Sequence, residues 1–147
     1  MYSFLLISHI IISFLLILLT SFIVIRSILG IYNKFELSYL IDIRISIFTV
    51  YLLYIELILG LILYAIYLRQ LTSLITQENA NIYFSARFWA IEHTILMIFA
   101  IIFGHIGLLY AKNLSENKQI FQKKSLYFGI SLILIIISIS MNMIRNV

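Results

Sequence analysis

Residues 88–110 read FWAIEHTILMIFAIIFGHIGLLY, an apolar run whose strongly polar side chains are Glu92, His93 and Thr94 near one end and His105 near the other. A helix rising about 1.5 Å per residue needs about 20 such residues to cross the roughly 30 Å hydrocarbon core of a bilayer. The run is continuously apolar rather than alternating, so it suits a spanning helix and not a strand of a membrane β-barrel. Three more runs of this kind lie at about 4–25, 45–68 and 125–143. The 147-residue chain is 63% hydrophobic and 11% charged, against roughly 45–50% and about 25% in a soluble domain. In hydrocarbon every backbone polar group must be satisfied within the protein, which separate apolar runs achieve as helices. The expected fold is all-α: an integral-membrane four-helix bundle, a single transmembrane domain over residues 1–147 with no extramembrane domain.

The polar segments between the runs set orientation. With four spans, the first and third loops share a side and carry Arg26, Lys34, Arg44, Lys112, Lys118, Lys123 and Lys124. The other side has Arg69, Arg87 and Arg145. The excess of Lys and Arg places the first and third loops in the cytoplasm and both termini outside. Trp89 and Tyr110 fall near the two ends of the third span, as interfacial anchors do. The first run has neither a positive leading region nor a small-residue cleavage site and is expected to be retained. The net charge of +4 belongs to these loops, and nucleic acid is not an expected partner. The absence of cysteine excludes disulfides, thiolate-held metals, iron–sulfur clusters and thioether-attached haem. The absence of proline removes the commonest cause of a helix kink. The abundance of Ile, Asn, Lys, Tyr and Phe suggests an A/T-rich coding sequence.

Chemistry is left to the few ionisable residues inside the spans, each a functional-site hypothesis because its charge is costly in hydrocarbon. His9 lies roughly 8–9 Å inside the outer end of the first span, and His93 about 8 Å inside the same end of the third. Two neutral imidazoles at one depth on antiparallel helices are what a bis-histidine b-type haem requires. On the third span, Met97, Ala100, Gly104 and Gly107 continue the face of His93, small enough for a flat macrocycle or another helix to approach. The matching stripe of the first span is His9, Ser13, Leu16 and Thr20. Small and hydroxyl residues are also ordinary helix-packing residues in membranes, so structural histidines are the plainer alternative.

Glu56 sits near mid-membrane with Gly60 and Tyr64 one and two turns on. A carboxyl there is protonated or paired, as a proton relay or as a buried hydrogen bond to Ser, Thr, Tyr or His. Glu92 points about 100° away from His93 around the helix, toward Arg87 or a water network. His105, about 8 Å from the inner end, has no second histidine at its level. The chain's three histidines thus allow one bis-histidine haem and not two, and haem iron is the only metal expected. No phosphate-cradling glycine loop, HExxH pattern or polar Ser/His/Asp set occurs, so no catalytic activity of the chain's own is expected.

His9, the run ELILGLILY from Glu56 to Tyr64, and above all RFWAIEH from Arg87 to His93 carry a resemblance. With the basic third loop and final apolar span, the chain resembles small four-span membrane proteins of Bacteroidetes labelled "cytochrome B". That resemblance implies a haem-associated or electron-transfer protein of the bacterial inner (cytoplasmic) membrane. The family pattern carries a histidine two residues before a glutamine in the second span, where this chain has Tyr54 and Glu56. If that histidine is a ligand in relatives, a haem here rests on His9 and His93 alone or is absent. The leading expectation is one-electron transfer through a single haem b ligated by His9 and His93. The alternative is a non-catalytic small subunit or assembly factor of a respiratory or other membrane complex, with structural histidines. Conduction past Glu56 is a third reading. The expected partners are the lipid bilayer and either a respiratory-chain complex or a homo-oligomer, in which a second copy supplies missing ligands.

Overall fold

The described residues of the computed structural model are 2–32, 36–72 and 80–145, with side chains excepted at 68, 70–90 and 141–145. Each apolar run becomes one helix: α1 over Tyr2–Ile31, α2 over Ile45–Thr72, α3 over Ala80–Asn113 and α4 over Asn117–Arg145. A single π-helical turn, Tyr39–Arg44, leads directly into α2. No strand occurs among the described residues, and four helices are long and apolar enough to cross a membrane.

The helices outrun the expected spans at several ends. The backbone has no reason to stop hydrogen-bonding where hydropathy falls, and no proline interrupts it. α3 begins at Ala80, eight residues before its expected span, and α4 begins as early. The latter begins at Asn117 rather than near Ser125, so Lys118, Lys123 and Lys124, expected in a loop, are helical. The expected anchor Trp89 has its side chain outside the described residues, as do Arg87 and Arg145, and Lys34 lies outside them altogether.

Packing runs around a ring. α1 packs on α2 and α4, and α3 packs on α2 and α4, which leaves α1 opposite α3 across the interior. The α1 stripe expected from the sequence is the one turned inward. His9 and Ser13 are half-buried, Leu16 and Thr20 buried, and the stripe continues through Ile23, Ser27 and Gly30. On α3 the small-residue face receives helices rather than a cofactor. Gly104 abuts Leu53 of α2 and Ser131 of α4, and a Cβ on Gly107 would come within 2.9 Å of the Phe128 ring. Gly30 does the same for α1, where a Cβ would lie 2.6 Å from the ring of Phe121.

Around the perimeter the chemistry is inverted relative to a soluble protein. Ile11, Phe14, Ile25, Tyr51, Ile58 and Ile133 are all exposed. An apolar belt of this extent needs an apolar surrounding.

One end of the interior is closed by charge. Asp42, on the π-helical turn, accepts hydrogen bonds from Arg26 Nε and Nη2 of α1 at 2.9 and 3.0 Å and from the Ser38 amide at 2.8 Å. Lys124 of α4 donates to the Asp42 backbone oxygen at 2.7 Å and stands 3.4 Å from Asp42 Oδ1. Asp42 and Lys124 are each 1% exposed. Lys124 was expected among the cytoplasmic loop charges. It is interior because α4 starts early enough to place it on the inward face between Phe121 and Phe128, both buried.

Candidate functional site

The charged end and the histidines lie at opposite ends of α1, about 26 Å apart along the helix at 1.5 Å per residue. Between them is an apolar layer of Leu16, Leu53, Met97, Ala100, Ile101 and Ile135.

Above that layer all four helices contribute polar side chains to a common cluster. α1 brings His9, α2 Glu56, α3 His93 and α4 Ser138. The imidazole rings of His9 and His93 face each other across the bundle with centroids 6.1 Å apart and planes inclined at 62°. His93 Nδ1 lies 2.6 Å from the Ser138 hydroxyl oxygen and 3.5 Å from the Ser138 backbone oxygen. His9 Nδ1 lies 3.2 Å from Glu56 Oε1, within ion-pair reach but outside the alignment of a hydrogen bond. Ser13, one turn below His9 on α1, donates its hydroxyl proton to the same Glu56 oxygen. Glu56 is only 2% exposed, and its second oxygen, Oε2, is buried without a hydrogen-bond partner among the described residues. Gly60, one turn along α2, faces the His9 ring, and a Cβ there would sit 3.4 Å from His9 Cε1. Any branched side chain at 60 would occupy the space the imidazole uses.

The equal depth of His9 and His93, inferred from residue counts, is thus realised as a direct approach. Glu56, for which relay and buried hydrogen bond were both open, has the hydrogen bond from Ser13 and the approach to His9. Directly below lies the apolar layer around Leu16 and Met97, and the buried hydroxyls of Ser131, Thr20, Thr49 and Ser27 lie at or beyond it toward Asp42.

The remaining candidates lie elsewhere. Glu92 is half-buried, and among the described residues no hydrogen bond or ion pair joins it to the cluster. Its expected partner Arg87 has no described side chain. His105 has no second histidine at its level, and its neighbour is Tyr54, whose hydroxyl stands 3.4 Å from His105 Nδ1. The two rings meet edge to face at 6.4 Å and 79°, and Tyr54 is 41% exposed on the perimeter. Two residues from Glu56, Tyr54 points to the opposite side of α2. Position 54 therefore belongs to the His105 level, and no residue there reaches the His9–His93 pair from α2.

Ser138 was missed from the sequence, although a signal existed. Ser131 and Ser138 are seven residues apart in an otherwise apolar run, the spacing of two turns on one helix face, and both are fully buried. Ser131 donates to the Ala100 carbonyl of α3 at 2.8 Å, so the two serines tie α4 to α3 at successive levels.

The donor set suits a bis-imidazole metal. Two imidazoles sharing one metal at about 2.0–2.1 Å per bond place their ring centres roughly 6 Å apart. Metal-bound histidines commonly give their other ring N–H to a carboxylate or a carbonyl, and Glu56 and Ser138 stand where such partners are needed. No set of three or more His, Asp or Glu able to hold a bare metal ion occurs among the described residues. No family model, no curated protein and no solved structure matches the chain.

Proposed function

We propose that the chain is a b-type cytochrome-like protein of the bacterial inner membrane, in which His9 and His93 would hold a single haem b that serves one-electron transfer. The observation that carries this reading is the approach of the two imidazoles, at 6.1 Å between ring centres, from helices on opposite sides of the bundle. When bound, the haem would supply a reversible one-electron redox couple. His9 and His93 would hold it, and Glu56 and Ser138 stand beside their Nδ1 atoms. The apolar layer of Leu16, Met97, Ala100 and Ile135 beneath them keeps water out.

Membrane insertion is supported by the exposed belt of Ile, Leu and Phe. The orientation rests on charge. Removing the internalised Arg26 and Lys124 from the count still leaves Lys34, Arg44, Lys112, Lys118 and Lys123 against Arg69, Arg87 and Arg145. The first and third loops therefore remain the cytoplasmic ones, with both termini outside.

A visible spectrum tests the haem. The protein, purified in mild detergent, should give a sharp α-band on dithionite reduction that is lost in both His9→Ala and His93→Ala. A colourless, folded wild type from haem-replete cells overturns the reading. One observation favours a second reading, a non-catalytic small subunit or assembly factor of a membrane complex. The polar groups at this level come from all four helices and engage one another, as a purely structural tie would. The colourless outcome selects that reading.

A further inference from the structure

We propose that the charged end of the bundle holds a small monovalent anion of the halide class, between Lys124 Nζ and Ser27 Oγ. The site shares no residue with the histidine cluster and stands whether or not haem is bound.

Asp42 has no acceptor capacity left for another donor. An ionised carboxylate offers about four lone-pair positions and a carbonyl oxygen two. Oδ1 takes Arg26 Nε at 2.9 Å and Lys124 Nζ at 3.4 Å. Oδ2 takes Arg26 Nη2 at 3.0 Å and the Ser38 amide at 2.8 Å. The Asp42 backbone oxygen takes the Ser46 hydroxyl and Lys124 Nζ, both at 2.7 Å. An ammonium has three donors, so one N–H of Lys124 is left over, in a side chain that is 1% exposed. The Ser27 hydroxyl is buried too, with no hydrogen-bond partner among the described residues.

Helix register brings these two donors to one level. Gly30 of α1 meets the ring of Phe121 of α4, and the two helices run in opposite directions. Ser27 and Lys124 each lie three residues, about 4.5 Å, from that contact toward the histidine end, and both are buried. Arg26, beside Ser27 in the chain, and Lys124 reach the same carboxylate.

Charge points to an anion rather than a neutral occupant. Asp42 is one carboxylate against two cations, and among the described residues Lys124 pairs with no other acid. Glu36 and Glu116, the acids of the neighbouring loops, are exposed. A buried charge without full compensation is strongly unfavourable. A small anion accepting from Lys124 and Ser27 removes the excess charge and satisfies both donors. A water molecule would satisfy the donors and leave the charge.

The test uses the full-length protein in mild detergent, with gluconate replacing chloride at constant ionic strength. Equilibrium dialysis with radiolabelled chloride should show a single saturable site. The unfolding midpoint, followed by helical circular dichroism, should rise with chloride, as linkage requires of a ligand held by the folded state. Ser27→Ala should weaken chloride binding about tenfold, the weight of one hydrogen bond to a charged group. Lys124→Met should abolish it. Lys118→Gln removes an exposed cation from the same end of α4 and should bind chloride as the wild type does. A wild type that binds no chloride overturns the site, and is the outcome a neutral Lys124 or a buried water would give. Equal chloride binding by wild type, Ser27→Ala and Lys124→Met overturns it as well, because the anion then sits elsewhere.

Discussion

At Asp42 one carboxylate faces two buried cations, Arg26 and Lys124, and that imbalance decides what each substitution does. Lys124→Met leaves Arg26 and Asp42 as a neutral pair, joined by two hydrogen bonds. The Asp42 backbone oxygen keeps its bond from the Ser46 hydroxyl. Replacing a buried charge by an apolar side chain of similar volume is often tolerated, so this variant should stay within about 1–2 kcal/mol of wild type. Asp42→Asn instead leaves two like charges without a counter-charge, and should lose about 3–5 kcal/mol. Unfolding in mixed detergent, followed by helical circular dichroism, ranks the pair, and a Lys124→Met protein less stable than Asp42→Asn would contradict the charge count. None of this was legible in the sequence. A lysine in a basic loop and a lysine beside a buried aspartate look alike until the start of α4 is known. His9 and His93 were legible because residue count along two spans measures depth directly. Ser138 was not, since one hydroxyl among many in an apolar run carries no mark of its partner.

At the scale of the helix, glycines distinguish close crossings from open surface. The apolar runs predicted four helices and, through the His9–Ser13–Leu16–Thr20 spacing, the inward face of α1. They left open whether Gly104 and Gly107 admit a macrocycle or a neighbouring helix, because both need small residues. Leu53 and Ser131 lie beside Gly104 and the Phe128 ring beside Gly107, so both glycines face neighbouring helices. Gly30→Ala would set a Cβ 2.6 Å from the Phe121 ring, and over-packing of this kind costs about 1–3 kcal/mol. Pairing it with Phe121→Leu should recover most of the loss, since residues in contact are coupled in a double-mutant cycle. Gly129 is the control, having no atom within 4 Å of its prospective Cβ. Gly129→Ala should be neutral or stabilising by roughly 0.5–1 kcal/mol, the helical penalty of glycine. Equal losses for Gly30→Ala and Gly129→Ala would show that α1 and α4 are not in the close contact described.

For the whole molecule, up–down connectivity places the histidine cluster toward the end of the bundle at which α1 begins and the Asp42 cluster toward the opposite end. The polarity of the site thus depends on the orientation of the chain. Most of this was readable in outline, because alternating apolar and basic segments constrain topology even when individual contacts are hidden. The ring order was not readable. Hydropathy reports how far a residue lies along a helix but not which helix stands opposite, and α1 facing α3 follows only from packing. Orientation can be tested without a background signal, because the chain has no cysteine. Ser3 on α1 and Ser115 between α3 and α4 are both exposed, and each can carry a single cysteine with little effect on packing. With both termini outside, Ser3→Cys should react with a membrane-impermeant maleimide in cells with a permeabilised outer membrane. Ser115→Cys should react only after the inner membrane is opened. The reverse pattern would place the histidine cluster on the cytoplasmic side, and with it the end of the bundle at which an electron enters or leaves.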